Sequence, residues 1–119
     1  MKKSVHFLKA IKSNNNKDWF EKHKDQYLEA KAEYEAFIDS LIKGIHKFDK
    51  KIAADLKGKD CTFRIYKDVR FSKDKTPYKS NFGASINPGG KKSLVAGYYL
   101  HIEPGASFLA GGVYMPEPE

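Results

Sequence analysis

Positive charge and aromatic rings alternate through residues 63–79, and this segment holds the clearest chemistry in the chain. Its cations are Arg64, Lys67, Arg70, Lys73, Lys75 and Lys79. Arginine binds phosphate or carboxylate through two parallel hydrogen bonds, whereas lysine supplies a point charge. Rings between cations can stack on bases while the cations follow a nucleic-acid backbone. The segment, which we call the basic run, therefore predicts either a nucleic-acid interface or a pocket for one phosphate group. The alternative is a solvated loop that its aromatic residues anchor to the fold.

A second candidate site lies further along the chain, where His101 and Glu103 stand two residues apart. In a β-strand this spacing puts both side chains on one face. An imidazole can carry a proton near neutral pH, and a neighbouring carboxylate can orient it. The pair predicts an acid–base site, with Tyr66 as a further catalytic candidate and Arg64 stabilising charge. The alternative is an ordinary solvated sheet face, or one that is closed by a further part of the protein.

Length and composition limit the class of protein. A chain of 119 residues forms one domain, and its formal net charge is +7. The excess is densest in residues 61–80, which hold six basic and two acidic side chains. Such a basic patch favours nucleic acid, phosphorylated metabolites or an anionic surface as a partner, the alternative being a lysine-rich surface without one. No segment resembles a signal peptide or a membrane span, and Cys61 is the single cysteine. We therefore expect a cytoplasmic protein that binds no membrane.

Other catalytic motifs are missing from the sequence. The four histidines show no metal-binding spacing, and no cysteine pair accompanies them. The glycines lack the Gly-Lys-Ser/Thr ending of a phosphate loop, and there is no Gly-x-Ser-x-Gly elbow. We therefore predict no metal site and no cofactor. Whether the protein is an enzyme stays open.

Hydrophobic periodicity predicts helices over residues 1–50, the part of the chain that precedes both candidate sites. Val5, Leu8 and Ile11 recur at helical spacing in a short helix over 4–13, which three asparagines then end. Large apolar residues next recur every seven positions and predict one long amphipathic helix from 18 to about 48. These residues are Phe20, Tyr27, Tyr34, Leu41 and Phe48.

After a polar link over 49–60, the period of the pattern changes from 3.6 to 2, which is typical of β-strands. Alternation predicts strands over 61–66, 81–86, 94–103 and 107–115. Turn sequences at 87–90 and 104–105 separate the later ones. Successive hairpins indicate an antiparallel sheet of about four strands with the helices on one face. The predicted fold class is α+β.

The same alternation assigns each strand residue to one of the two faces of the sheet. The face toward the helices is predicted to contain Phe63, Ile65, Phe82, Ile86, Leu100 and Ile102. The opposite, polar face is predicted to contain Thr62, Arg64, Tyr66, Asn81, Ser85, Tyr99, His101 and Glu103. The second group would bring the Arg64 guanidinium and the acid–base pair onto one surface.

Several motifs together resemble one known family. They are the Asn-Asn-Asn-Lys-Asp-Trp-Phe motif at 14–20, the basic run, the glycine-bounded segment at 97–105 and Gly-Gly-Val-Tyr-Met-Pro at 111–116. This pattern is similar to that of a family of bacterial and fungal proteins described as a domain of unknown function, or conserved hypothetical protein. The resemblance covers nearly the whole chain and implies an α+β fold without implying a reaction. It also implies that this chain is the N-terminal half of a longer protein, and the Met-Pro-Glu at 115–117 is typical of a helix start.

These observations lead to one prediction and two alternatives. We predict a single domain over 1–119, helical over 1–50 and a sheet over 61–115, that binds a phosphate-bearing ligand through the basic run. The ligand is either nucleic acid or a phosphorylated metabolite. One alternative is an enzyme on the polar sheet face. The other is a structural module whose basic run docks on the missing C-terminal half or on a protein partner.

Overall fold

The computed structural model describes residues 2–53, 55–67, 70, 73, 76–88 and 97–110. Helix α1 spans Lys2–Ser13, α2 spans Lys17–Lys22 and α3 spans Lys24–His46, and a short 3-10 helix follows at Gly58–Asp60. Strands β1, β2 and β3 then span Phe82–Ile86, Tyr98–Ile102 and Phe108–Ala110. Helices therefore precede an antiparallel sheet, and the predicted α+β fold class is confirmed.

The predicted long helix is two helices, because the chain leaves the helical conformation at His23. This residue has φ −116° and ψ 20°, and its backbone N–H donates to the carbonyls of Trp19 and Phe20. Its ring stacks on Trp19 at 4.2 Å, and its Nδ1 lies 2.8 Å from the Trp19 carbonyl oxygen. The Asn16 side chain caps α2 by accepting from the Trp19 N–H at 2.8 Å. The heptad-like spacing of aromatics did not reveal this break, since residues on both sides of it still reach the core.

The sheet has the strand order β1-β2-β3, and both pairings are antiparallel. The described residues thus form three strands, one fewer than expected, because 61–66 makes only isolated bridges at Thr62 and Tyr66. The outer parts of the strands predicted over 94–103 and 107–115 lie outside the described residues. Within β2, Leu100 stands opposite Ala84 of β1 and Leu109 of β3.

The core lies between the helices and one face of the sheet. Its largest fully buried side chains come mainly from the helices and include Tyr34, Phe7, Phe20, Leu8 and Ile11. The Tyr34 hydroxyl donates to the Leu100 carbonyl at 2.9 Å and so connects α3 to β2. Burial raises the pKa of the Tyr34 phenol, which therefore stays a hydrogen-bond donor. Ile65, Phe82, Ile86 and Leu100 are buried in this core as the alternation predicted, and Ile102 packs against it half-buried.

Two residues of the segment 61–66 face opposite to the prediction. Thr62 stands opposite Ala84, a core residue, and is itself buried. Phe63 therefore falls on the other face, and its side chain is 39% exposed. The segment makes only isolated bridges and is not a continuous strand, so the alternation does not hold along its whole length, and Ile65 is still buried as predicted. As a result, the polar face of the sheet gains an aromatic ring that the sequence had assigned to the core.

Candidate anion site and histidine face

The two ends of the basic run pair with each other. The Lys67 N–H donates to the Pro77 carbonyl at 2.9 Å, and the Lys79 N–H donates to the Ile65 carbonyl at 2.7 Å. Tyr66 and Tyr78 form the antiparallel bridge between them. The pairing brings Lys67 and Lys79 to one end of a hairpin-like segment, although twelve positions separate them in the sequence.

Asn15 fixes this hairpin-like segment to the helices. Its amide Nδ2 donates to the Tyr78 carbonyl at 2.7 Å, and its Oδ1 accepts from the Tyr78 N–H at 3.0 Å. The Tyr78 ring is buried and stacks on Phe20 at 4.2 Å, with the two planes 17° apart. Burial also raises the pKa of the Tyr78 phenol. The asparagine motif is therefore more than a helix break, because it holds the basic run in place.

A cavity of about 320 Å³ opens where α1, the asparagine motif and the hairpin-like segment meet. Its lining consists of Lys12, Asn15, Lys67, Thr76, Tyr78, Lys79, Ser80 and Asn81. We call it the basic cavity, because three ammonium groups face amide and hydroxyl groups, and its described lining contains no carboxylate. Ammonium, amide and hydroxyl groups are the hydrogen-bond donors that bind a phosphate or carboxylate.

The charges around the basic cavity favour an anion. Burial lowers the pKa of the Lys79 ammonium, and the nearby Arg64 guanidinium lowers it further. Burial and the Arg64 charge each make the charged form of the Lys79 ammonium less stable, whereas a bound anion would stabilise that form. Lys67 Nζ donates to the Thr76 hydroxyl at 3.1 Å, which directs its ammonium along the cavity wall.

The predicted anion-binding residues separate into three groups. Lys67 and Lys79 line the basic cavity, and Arg64 lies exposed and near enough to Lys79 to affect its pKa. Arg70 and Lys73 are exposed, and neither is among the residues that line the cavity. Lys75 lies outside the described residues.

Sequence reasoning did not select several lining residues, namely Lys12, Asn15, Thr76 and Ser80. Lys12 and Asn15 come from the first helix and the loop after it, more than 50 positions before the other lining residues. The one signal that pointed to this region was the asparagine motif, which belongs to the resemblance pattern.

On the outer face of β2, His101 is held at both ring nitrogens. Its Nε2 lies 2.7 Å from Glu103 Oε1, and its Nδ1 lies 3.1 Å from the Tyr99 hydroxyl and 3.4 Å from Asn81 Nδ2. Phe108, directly opposite on β3, stacks on the imidazole at 4.9 Å and 15°. The structure thus brings together His101 and Glu103, the two residues that the spacing had paired.

Tyr66, the third catalytic candidate, packs elsewhere. Its ring centroid lies 6.0 Å from that of Phe20 and 5.6 Å from that of Tyr78, on the aromatic cluster that anchors the basic run. Tyr99 supplies the hydroxyl beside His101 instead. The sequence had placed Tyr99 on the right face without giving it a role.

Comparison with known proteins gives the chain a family. The family model described as conserved hypothetical protein (DUF2461) matches residues 3–119. The chain belongs to this family. No curated protein and no solved structure matches it. The resemblance seen in the sequence motifs is therefore confirmed, and the family description carries no activity, so function must be argued from the geometry of the site.

Other features of this DUF2461 chain are less suited to a ligand. A larger cavity, of about 730 Å³, lies beside α3 and the 3-10 helix. Three carboxylates and three lysines line it, so its charges compensate one another: Glu35, Asp39, Asp55, Lys43, Lys57 and Lys59. One of these carboxylates, on Asp39, already accepts from the Gly58 N–H at 2.6 Å. We therefore prefer the smaller basic cavity as the candidate anion site.

Two further features are absent from the described part of the chain. Among those residues, no cluster of three or more histidine, cysteine, aspartate or glutamate side chains is placed to hold a metal ion. None of the helices that they form has the length and apolar character needed to cross a membrane.

Proposed function

We propose that this protein is a cytoplasmic binding domain for a phosphate-bearing ligand held in the basic cavity. One observation carries the proposal: lysines from α1 and from both ends of the basic run line a single cavity whose described walls contain no carboxylate. Lys12 comes from α1, while Lys67 and Lys79 come from the two ends of the basic run. An anion in this cavity could accept hydrogen bonds from ammonium groups that belong to α1 and to the basic run at the same time.

The size of the basic cavity favours a small ligand over a polynucleotide. Its volume of about 320 Å³ falls at the lower end of the range of small-molecule sites, about 300–1,000 Å³. A phosphorylated metabolite therefore fits the cavity better than an extended backbone does. Single-stranded nucleic acid is the second candidate, because Arg70 and Lys73 are exposed on the same basic run and would extend the contact beyond the cavity.

A thermal-unfolding screen tests the proposal. The ligands are inorganic phosphate, nucleotides, phosphorylated sugars and short oligonucleotides, each at low and at high salt. A ligand present at a hundred times its dissociation constant stabilises the folded state by about 2.7 kcal/mol. A small phosphorylated ligand should raise the unfolding temperature with modest salt dependence. For an oligonucleotide, the effect should fall steeply as salt increases, since counterion release dominates such binding.

Charge-neutralising variants locate the site. Combining Lys67→Gln with Lys79→Gln should abolish the shift, because both ammonium groups line the cavity. The matched control is Lys50→Gln, which removes an exposed charge in the turn after α3. Joint charge reversal of Arg64 and Arg70 should weaken an oligonucleotide more than inorganic phosphate. If the Lys67/Lys79 double variant binds as tightly as the unmodified chain, the basic cavity is not the site.

A further inference from the structure

Three side chains on the outer face of the sheet are connected by two hydrogen bonds. Glu103 Oε1 lies 2.7 Å from His101 Nε2, and His101 Nδ1 lies 3.1 Å from the Tyr99 hydroxyl. We propose that they form a proton relay whose reactive end is the Tyr99 hydroxyl, acting on a small and mainly apolar ligand. The proposal depends on none of the lysines of the basic cavity.

The partners of His101 define where its proton lies. A carboxylate only accepts hydrogen bonds, so the close contact with Glu103 requires the proton on Nε2. The Asn81 amide nitrogen only donates and lies 3.4 Å from Nδ1, which agrees with a bare Nδ1. The Tyr99 hydroxyl can then donate to this Nδ1. A carboxylate that orients an imidazole, which in turn accepts from a hydroxyl, is the arrangement that activates nucleophiles in many hydrolases.

Neighbouring residues hold this arrangement in position. Phe108 stacks on the imidazole, and the turn after β2 fixes Glu103, whose N–H donates to the Ser107 hydroxyl at 3.0 Å. Gly105 adopts φ 82° in that turn, a conformation that glycine tolerates best. The relay is therefore built on a strand and a defined turn, which keeps its distances short.

Gly83 provides the space that the Tyr99 hydroxyl occupies. A Cβ atom at position 83 would stand 2.8 Å from the Tyr99 oxygen and 3.4 Å from two ring carbons. Any other residue at this position would push the end of the phenol away. Because the displaced group is the tip of a side chain, a methyl group here should disturb the relay at little cost to folding.

The relay opens onto a groove that suits an apolar ligand. The groove has a volume of about 420 Å³ and is lined by Phe63, Ser85, Tyr99, Phe108 and Ala110. Phe63 and Phe108 are 39% and 50% exposed, so part of each residue faces the solvent at the groove. A flat or aromatic group between these rings would present one polar atom to the Tyr99 oxygen. The inferred ligand is therefore a small aromatic or aliphatic carbonyl compound.

The chemical step can be written with an acyl donor. The Tyr99 oxygen attacks the carbonyl carbon while its proton passes to His101 Nδ1, and Glu103 accepts a hydrogen bond from the imidazolium formed. Collapse of the tetrahedral intermediate breaks the bond to the leaving group, and the proton on Nδ1 goes to the leaving oxygen. The products are acylated Tyr99 and a free alcohol or phenol, so atoms and charges balance without a further reactant.

The test uses 4-nitrophenyl acetate as the probe and another tyrosine of the same chain as the reference. Tyr66 is 45% exposed and packs beside Phe20 and Tyr78, with no histidine in these contacts, so its acetylation rate serves as the reference for an exposed tyrosine. Peptide mass spectrometry after short exposures gives both rates in one sample. We expect Tyr99 to react at least about tenfold faster than Tyr66, since general base assistance typically contributes 10²–10⁴-fold.

Variants separate the relay from simple exposure. His101→Gln and Gly83→Ala should each lower the Tyr99 rate to about that of Tyr66, the first by removing the base and the second by moving the hydroxyl. Lys50→Gln should change neither rate. Nitrogen NMR of the unmodified chain gives a second measurement, in which His101 should carry its proton on Nε2. Equal rates for the two tyrosines, a Tyr99 rate that survives His101→Gln, or a proton on Nδ1 would each overturn the proposal.

Discussion

The basic cavity and the outer face of the sheet are assembled in different ways. The cavity combines residues that are distant in the sequence, such as Asn15 and Tyr78, which are 63 positions apart. The relay on the outer face comes from Tyr99 and His101 of β2 and from Glu103 just after it, and is completed by Phe108 from the neighbouring strand. The basic cavity therefore exists only when the helices have packed, whereas the relay needs only the sheet and the turn after β2.

This difference predicts that the two sites respond separately to mutations away from Asn81, which lines the basic cavity and also lies 3.4 Å from His101 Nδ1. The aromatic cluster of Phe20, Tyr66 and Tyr78 anchors the basic run. In the described part of the chain, none of these three side chains hydrogen-bonds to His101 or stacks on it. Damage to the helical side should therefore reach the anion site first. The unfolding free energy, anion binding and the rate of Tyr99 acetylation together distinguish the two responses.

The largest effect is expected from Phe20→Ala. Phe20 is fully buried, stacks on Tyr78 and contacts Phe7 edge-on. Truncating such a ring costs about 3–5 kcal/mol through lost contacts and the cavity left behind. Urea unfolding followed by circular dichroism should show this loss. The matched control is Phe48→Ala, since Phe48 is 73% exposed and its removal should change the unfolding free energy by no more than about 0.5 kcal/mol. Similar losses for both variants would mean that Phe20 does not anchor the fold.

An intermediate effect is expected from Asn15→Ala, which tests the comparison most directly. The change removes both hydrogen bonds to the Tyr78 backbone and leaves its N–H and carbonyl without these partners. A part-buried backbone group that loses its partner costs about 1–3 kcal/mol. Phosphate binding should weaken and the unfolding free energy should fall. The ratio of the Tyr99 acetylation rate to the Tyr66 rate should equal that of the unmodified chain.

The control for this variant is Asn14→Ala. The hydrogen bond of the Asn14 side chain goes to the Ala10 carbonyl within α1 and not to the basic run. The Asn14→Ala variant should therefore leave phosphate binding unchanged. A fall in the rate of Tyr99 acetylation in the Asn15 variant would instead show that the basic cavity and the outer face of the sheet are coupled.

The same contrast explains what the sequence could predict. Period-two alternation gave the outer face of β2, including Tyr99, His101 and Glu103, because side-chain direction in a strand follows from local geometry. It failed for Phe63, because the segment 61–66 makes only isolated bridges and Thr62, not Phe63, stands opposite the core residue Ala84. It also missed Lys12 and Asn15, since their place beside Lys79 depends on how α1 packs. The local pattern thus predicted the fold class and the histidine face, whereas the basic cavity depends on tertiary packing that the pattern does not contain.

The smallest effect concerns pH and the position of α1, the helix that carries Lys12 to the basic cavity. Glu33 of α3 accepts hydrogen bonds from the Ser4 N–H and hydroxyl, each at 2.9 Å, and from the Lys3 N–H at 3.3 Å. Burial alone would raise the pKa of this carboxyl, but these hydrogen bonds more than offset it and hold the pKa below the usual 4.5. The ionised carboxylate therefore fastens the start of α1 to α3.

A lowered pKa in the folded state means that the unfolded chain binds the proton more readily. The stability that Glu33 contributes is present above pH 4.5 and is lost as the pH falls through the lower, folded value. Glu33→Gln should therefore be less stable near neutral pH and should lose less stability on acidification, as urea unfolding at several pH values would show. Glu29→Gln, which removes an exposed partner of Lys3, should keep the acid dependence of the unmodified chain. If Glu33→Gln keeps it as well, the carboxylate does not hold α1 in place, and the position of Lys12 must depend on apolar packing alone.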